Sequence, residues 1–347
     1  MLTEVDLNEV DFEWIKDGRF ETIKANKYIF EELLRKSDQL PCAYAALGGQ
    51  LEILKWLKEI GFRCDYLACE WAASRGHLHV LKYLKEQECP WNTVTCAKAA
   101  QYGDLNVLQW LRENGCPWDV WTCAYLAEKG NLSGLKWARE HGCPWKEVVC
   151  SYAAHYDHFD VLEWAHANGC PWDEFTFAEA ALYGSLTNLE WLRENGCPWD
   201  HMTCDNAASK GRLDVLKWLY DLGCPWNKST CASAVESGHL NVLKWLIEHG
   251  CPLGENVLER ALRYNSLHVF VWITETYPSR FYELPDNCED IVYFELKQLI
   301  PTKKIMSRYH AFASIVPFYL ICWINSVDET VDSLCYNDLS KLIKVFV

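Results

Sequence analysis

Apolar and polar residues follow one another in a pattern that predicts pairs of helices and repeats every 27 residues. The stretch LNVLQWLREN at 105–114 places leucines on one helical face with Val107 and Trp110 beside them, which predicts an amphipathic helix. The preceding stretch TCAKAAQY at 95–102 is rich in helix-forming alanine. Each repeat is therefore predicted to consist of a first helix (helix A), a tight turn, a second helix (helix B) and a short loop, with no strand.

Several series of residues keep the 27-residue register, and such a period indicates a repeat protein. The cysteine that opens each loop recurs at Cys89, Cys116, Cys143, Cys170, Cys197, Cys224 and Cys251. A helix-A series comprises Cys42, Cys69, Cys96, Cys123, Cys150, Phe177, Cys204, Cys231 and Leu258. A helix-B aromatic series comprises Trp56, Tyr83, Trp110, Trp137, Trp164, Trp191, Trp218, Trp245 and Trp272. Because no insertion interrupts the nine registers, residues 40–275 are predicted to form nine repeats.

The residues of the loop predict how one helix ends and the next begins. In the stretch ENGCPWD at 113–119, Gly115 permits the positive φ that ends helix B, and Pro117 blocks its continuation. Asp119, like Asn92 in the preceding repeat, supplies a side-chain oxygen suited to cap the next helix. Since one repeat cannot bury its apolar face alone, the repeats are expected to stack into an all-α solenoid.

Composition and charge narrow the classes of function. The chain of 347 residues has 18 Trp, 18 Cys and a formal net charge of −15, which argues against binding to nucleic acid or to an anionic membrane surface. The most apolar run, FASIVPFYLICWI at 312–324, is too short to span a membrane, and the acidic N-terminus has no secretory signal pattern. A cysteine-rich chain of this kind is expected in the cytoplasm, with unpaired thiols.

The reactive residue types give no pattern of a catalytic or metal site. The chain contains no C-x-x-C pair, and Phe177 and Leu258 replace the helix-A cysteine in two repeats, which indicates a buried apolar position rather than a zinc ligand. Most histidines occupy repeat positions that elsewhere carry Asp, Asn, Lys or Arg, and they are predicted to lie on solvated turns. We expect no enzyme activity, no cofactor and no small-molecule substrate.

The repeat resembles the ankyrin repeat. The stretch CAKAAQYGDLNVLQWLRENG at 96–115 follows the family pattern, GHL occurs at 76–78 and 238–240, and VLKWL stands where the family has its second helix. Ankyrin repeats are about 33 residues long, so each repeat of this chain is about six residues shorter. The missing residues correspond to the β-turn finger of the family. Short Cys-Pro-Trp arrays of this type resemble those of large DNA viruses of amoebae and algae, which implies the cytoplasm of a host cell.

The resemblance implies an all-α solenoid of stacked ankyrin-type repeats with helical caps and no fingers. Residues 1–39 are interpreted as a degenerate N-terminal capping unit, and residues 276–347 as a C-terminal helical cap or small extra module. The implied function is a non-enzymatic scaffold that binds a partner protein on its concave helix-A surface. An alternative is a substrate adaptor that recruits a ubiquitin ligase, because LPDNCEDIVYFEL at 284–296 weakly resembles the start of an F-box.

The loop tryptophans allow two interpretations. Six of them could form an exposed aromatic stripe for a ligand, or they could fill the space that the missing finger leaves. We favour packing, since six large exposed aromatic side chains would promote aggregation. The six residues are Trp91, Trp118, Trp145, Trp172, Trp199 and Trp226.

A variable surface is the predicted binding site. In ankyrin arrays the positions before the helix-A glycine lie on the concave face and contact partners, and in this chain they vary while the core positions do not. They are either simply solvated or an interface, and their tyrosine content favours an interface. The candidate partner-binding residues are Trp71, Arg75, Lys98, Tyr102, Tyr125, Lys129, Tyr152, Tyr156, Tyr183 and Lys210.

Overall fold

Helices are the regular elements of the structure throughout the residues that it describes. The computed structural model describes residues 13–28, 40–102 and 105–277, and these ranges contain no strand. Two short helices, Glu13–Lys16 and Phe20–Ala25, come first. The F-box-like segment at 284–296 lies outside the described residues, as does the predicted C-terminal cap from residue 278 onward.

Pairs of helices then follow in the predicted order. The helices A are Leu40–Leu47, Tyr66–Ser74, Thr93–Tyr102, Val120–Glu128, Glu147–His155, Glu174–Tyr183, His201–Ser209, Lys228–Glu236 and Val257–Arg263. The helices B are Leu51–Glu59, Leu78–Glu86, Leu105–Glu113, Leu132–Glu140, Phe159–Ala167, Leu186–Glu194, Leu213–Asp221, Leu240–Glu248 and Leu267–Thr276. The chain divides into two compact units, Met1–Trp226 and Asn227–Val347. The predicted all-α fold of helix–turn–helix repeats is confirmed in the described part of each unit.

The core of each repeat combines small side chains on helix A with branched side chains on helix B. Cys123 and Ala127 of one helix A are fully buried, as are Leu108 and Leu111 of a helix B. Within the unit Met1–Trp226, consecutive helices A pack side by side. The small helix-A residues let neighbouring backbones approach, and burial of the helix-B leucines stabilises the stack by about 25 cal/mol per Å² of apolar surface.

The loop cysteines join each loop to the preceding loop. The thiol of Cys143 donates to the backbone carbonyl of Asp119 at 3.5 Å, and Asp119 lies in the preceding loop, where it begins the helix A of the same repeat. The same bond, over 24 residues each time, occurs for every cysteine of the series. The other donors are Cys89, Cys116, Cys170, Cys197, Cys224 and Cys251. The cysteine of the loop motif is therefore a packing and hydrogen-bonding residue.

Helix ends are formed by the residues that the sequence indicates. Gly115 adopts φ +81°, and the Cys116 N–H donates to the Leu111 carbonyl at 3.0 Å, which closes helix B. The Asp119 carboxylate accepts from the Trp121 N–H at 3.0 Å at the start of the next helix A. Side-chain caps of this kind occur at Asp65, Asn92, Asp119, Asp173, Asp200 and Asn227. At the same position Lys146 makes no side-chain cap bond.

Four of the six loop tryptophans pack between two repeats, and there the packing interpretation is confirmed. Trp118 is half-buried, with the Arg112 guanidinium 4.4 Å from its ring centroid. The Trp137 ring of the next helix B meets it edge-to-face at 5.7 Å. Three other layers have the same order of a helix-B residue, a loop tryptophan and the tryptophan of the next helix B. They are Lys85–Trp91–Trp110, Arg139–Trp145–Trp164 and His166–Trp172–Trp191. A basic side chain that the sequence analysis does not single out thus completes each layer.

The histidines of the A–B turn differ from the solvated turns that the sequence predicts. His77 and His158 are part-buried, and their Nε2 atoms hydrogen-bond the carbonyls of Leu47 and Glu128 at 3.0 and 2.9 Å. Each of these carbonyls belongs to the helix A of the preceding repeat. The prediction is wrong at these positions because a single repeat does not show where the neighbouring helix ends.

We expect Lys146→Asp to stabilise the protein by about 1 kcal/mol, because it introduces the helix cap that six other repeats have. The backbone of Lys146 is already extended, as at the capped positions, so the new carboxylate needs no rearrangement. The midpoint of urea denaturation measures the effect. Lys82→Asp, the same charge reversal at an exposed site inside a helix B, is the control. An equal shift in both variants would show that charge and not capping is responsible.

We expect His166→Arg to reduce the loss of stability in acid. Burial lowers the pKa of His166, whose ring stacks on Trp172 with centroids 3.5 Å apart. The unfolded chain therefore binds the proton more tightly, and the contribution of His166 to stability decreases as pH falls below about 6.5. Arginine stays charged throughout, so the difference in unfolding free energy between about pH 7.5 and about pH 5 should shrink. An unchanged difference in unfolding free energy between the two pH values would show that His166 does not contribute to the loss of stability in acid.

Candidate protein-interaction surface

Exposed and half-buried rings form a strip on the helices A of the unit Met1–Trp226. We call it the aromatic strip, and it comprises Tyr102, Trp121, Tyr125, Tyr152, His155, Tyr156 and Tyr183. Two spacings place these rings together. Residues four apart lie on one helical face, and residues 27 apart occupy the same position in neighbouring repeats. The strip therefore follows directly from the repeat.

Three rings meet at the centre of the strip. The centroid of Trp121 lies 6.0 Å from that of Tyr125 and 6.3 Å from that of Tyr152. The Tyr125 and Tyr152 centroids are 6.4 Å apart. The planes are tilted by 32° to 53°, so the rings neither stack face to face nor close on one another. This arrangement brings three aromatic surfaces together at one place.

A histidine connects the centre of the strip to its C-terminal end. The His155 ring lies 4.6 Å from that of Tyr156 and 4.9 Å from that of Tyr183. Its Nδ1 is 2.6 Å from Oε2 of Glu179 on the next helix A, which fixes the orientation of the imidazole. Tyr156 also contacts Tyr152, with centroids 6.4 Å apart. The rings of three consecutive repeats are thus in contact.

Basic side chains cover the rings at both ends of the strip. The Lys98 and Lys129 ammonium groups lie 5.4 and 5.6 Å from the centroid of Tyr102. At the other end, Lys210 Nζ is 4.5 Å from the centroid of Tyr183. Ammonium groups at these distances are attracted by the negative face of the ring. The ends of the strip are therefore partly occupied by the chain itself.

The outer rings of the strip are open to solvent. The exposed fraction is 60% for Tyr102, 54% for Tyr183 and 48% for Tyr156, and the Trp121 residue is 43% exposed. Tyr125 is half-buried, and burial followed by the Glu128 carboxylate raises the pKa of its hydroxyl. Large rings this exposed contribute little to the core, so their substitution should affect binding more than folding.

The structure brings together most, but not all, of the residues predicted from the sequence. Eight of them belong to the strip or cover its ends: Lys98, Tyr102, Tyr125, Lys129, Tyr152, Tyr156, Tyr183 and Lys210. Trp71 instead packs edge-to-face on Tyr44, with centroids 5.2 Å apart, and Arg75 is exposed without a described contact to the strip.

Trp121, His155 and Glu179 contribute to the strip although they are missing from the predicted set. Trp121 stands one helical turn before Tyr125, and this i, i+4 spacing was the available signal. Other repeats carry apolar residues at the same position, for example Val94, Val148, Phe175 and Met202, and this apolar character gives no sign that Trp121 is exposed.

The cysteine thiols are mostly unsuited to nucleophilic chemistry. Burial raises the pKa of Cys197 to about 12, and a hydrogen bond to the Cys116 thiol together with burial raises that of Cys96. Such thiols remain protonated and inert at neutral pH. Cys64 is half-buried, and hydrogen bonds from Cys42 and Cys89 lower its pKa. In the part of the chain that the structure describes, no three His, Cys, Asp or Glu side chains are arranged to hold a metal ion.

A membrane-spanning element is not found either. Within residues 13–28, 40–102 and 105–277, no helix is both long enough and apolar enough to cross a bilayer.

Comparison with known proteins agrees with the arrangement of the helices. Residues 204–247 match the family model described as ankyrin repeats (many copies). Among solved structures, the chain is similar to the crystal structure of the human ASB11 ankyrin repeat domain, with 18% sequence identity and a TM-score of 0.38. That similarity covers 46% of this chain and 84% of the ASB11 domain. No curated protein matches the chain. Residues 204–247 are thus recognised as ankyrin repeats, and the helix pairs of the structure agree with that family.

Proposed function

We propose that this protein is a non-enzymatic scaffold that binds a partner protein through the aromatic strip on its helices A. The observation that supports the proposal most strongly is the exposure of Tyr102, Tyr156 and Tyr183 at one repeat position, next to a core of buried apolar side chains. Ankyrin repeats generally mediate contacts between proteins, and residues 204–247 match them. The partner is a protein, and neither nucleic acid nor a membrane surface suits a chain of net charge −15.

The composition of the strip supports a protein interface. Tyr and Trp combine a large apolar surface with one polar group, and they lose little conformational entropy on binding because they have only two side-chain torsions. The strip rings stand on helices whose opposite faces are fixed in the core by residues such as Cys123 and Ala153. A rigid support lowers the entropic cost of binding.

The free thiols support a cytoplasmic location, which we include in the proposal. Cysteines of the repeat core such as Cys123, Cys143 and Cys150 are free thiols and are buried. The resemblance to Cys-Pro-Trp arrays of large DNA viruses suggests more narrowly the cytoplasm of a host cell. Cysteines remain unpaired most readily in a reducing compartment.

We expect the combined variant Tyr102→Ala, Tyr156→Ala and Tyr183→Ala to fold normally and to lose partner binding. The three side chains are mainly exposed, so the melting temperature should change little. Binding is measured by selecting phage-displayed random dodecapeptides on the full chain and testing the selected clones on the variant. Tyr264→Ala, at the same repeat position in the unit Asn227–Val347, is the control and should still bind the selected clones. Clones that bind the triple variant unchanged would contradict the proposal.

A further inference from the structure

We propose that the centre of the aromatic strip, formed by Trp121, Tyr125 and Tyr152, binds the guanidinium group of an arginine side chain in a basic segment of the partner. This inference rests on the proposed function and adds the chemistry of the ligand. Three observations support it, namely the geometry of the rings, the carboxylates around them and the use that the chain makes of the same contact elsewhere.

The geometry of the three rings suits one flat cation. Their centroids form a nearly equilateral triangle with sides of 6.0, 6.3 and 6.4 Å. A group above the middle of this triangle can lie within about 6 Å of all three centroids, which is the range of a favourable cation–π contact. Trp121 presents the most exposed surface of the three and is the aromatic residue that attracts cations best.

Three carboxylates, those of Asp119, Glu128 and Glu179, act on the rings of this triangle. Burial and then the negative charges of Glu128 and Asp119 raise the pKa of Tyr125. Burial, the neighbouring tyrosines and the carboxylates of Glu128 and Glu179 act in the same direction on Tyr152. Glu128 is also 3.1 Å from the Lys129 ammonium, and Glu179 contacts His155. The electrostatic environment of the rings therefore favours a further positive charge.

The chain already places cations over most of its comparable rings. Lys98 and Lys129 cover Tyr102, Lys210 covers Tyr183, and basic residues cover four loop tryptophans. Among the described residues, no Lys or Arg lies over Trp121, Tyr125 or Tyr152. The centre of the strip thus has the same ring surface without a basic side chain of the chain itself, and a partner can supply one.

Arginine suits this site better than lysine. Its guanidinium is flat and stacks on aromatic faces, and it can donate two parallel hydrogen bonds to one carboxylate. Lysine is more strongly hydrated and loses more on leaving water. The overall charge of −15 also accelerates the association of a basic partner at low ionic strength.

The test uses clones from the random dodecapeptide library that bind the full chain but not the variant lacking the Tyr102, Tyr156 and Tyr183 side chains. We expect these clones to share an arginine, and a synthetic fluorescein-labelled peptide of the commonest sequence to bind about tenfold more tightly than the same peptide with citrulline in its place. Citrulline has nearly the shape of arginine but no charge. Fluorescence anisotropy measures both affinities, and added salt should weaken only the arginine peptide.

Variants of the protein assign the effect to the triangle. In Trp121→Ala the arginine and citrulline peptides should bind with nearly equal affinity, whereas Trp121→Phe should keep most of the difference because a ring face remains. Circular dichroism melts establish that both variants are folded.

The outcomes separate the two proposals. Strip-dependent clones without a basic residue, or peptides that differ less than about twofold, would overturn the arginine site and leave the proposed function intact. Strip-dependent clones rich in proline or in acidic residues would likewise overturn the arginine site and leave the proposed function intact. Absence of any strip-dependent clone would overturn both proposals.

Discussion

Burial of each repeat against its neighbours is the constraint on which this structure depends. One helix pair cannot cover its own apolar face, so residues such as Leu108 and Cys123 reach full burial only in the stack. The 27-residue step keeps every contact in register, and the bond from the loop cysteine to the carbonyl of the preceding cap residue links consecutive junctions, for example from Cys143 to Asp119. Aromatic layers such as Arg112, Trp118 and Trp137 reinforce the same junctions on the loop side.

This constraint also explains where the chain is free to vary. The core, the caps and the loops are fixed by contacts between repeats, whereas the outer positions of helix A and the turn that follows it are not. In the unit Met1–Trp226 those positions carry rings that contact one another from repeat to repeat, from Trp121 to Tyr183. Function is therefore expected on a surface that folding does not determine.

Local features of the structure were predictable from the sequence, and features that depend on a neighbouring repeat were only partly so. Gly115 and Asp119 act within one or two residues, which is why helix ends follow from the sequence. The hydrogen bond of His77 to the preceding repeat requires knowledge of where that helix ends. The repeat position of Trp121 is apolar in most repeats, as at Val94 and Phe175, and only the stack shows that this position reaches the surface.

The central claim is that partners bind on the aromatic strip, and site-specific photocrosslinking tests it most directly. Benzoylphenylalanine in place of Tyr156 or of Lys82, an exposed residue on a helix B, is irradiated with a peptide selected on the full chain. Mass spectrometry then identifies the joined residues. Binding on the aromatic strip predicts crosslinks from position 156 and none from position 82. Crosslinks from position 82 alone would show that the binding surface lies on helix B and would contradict it.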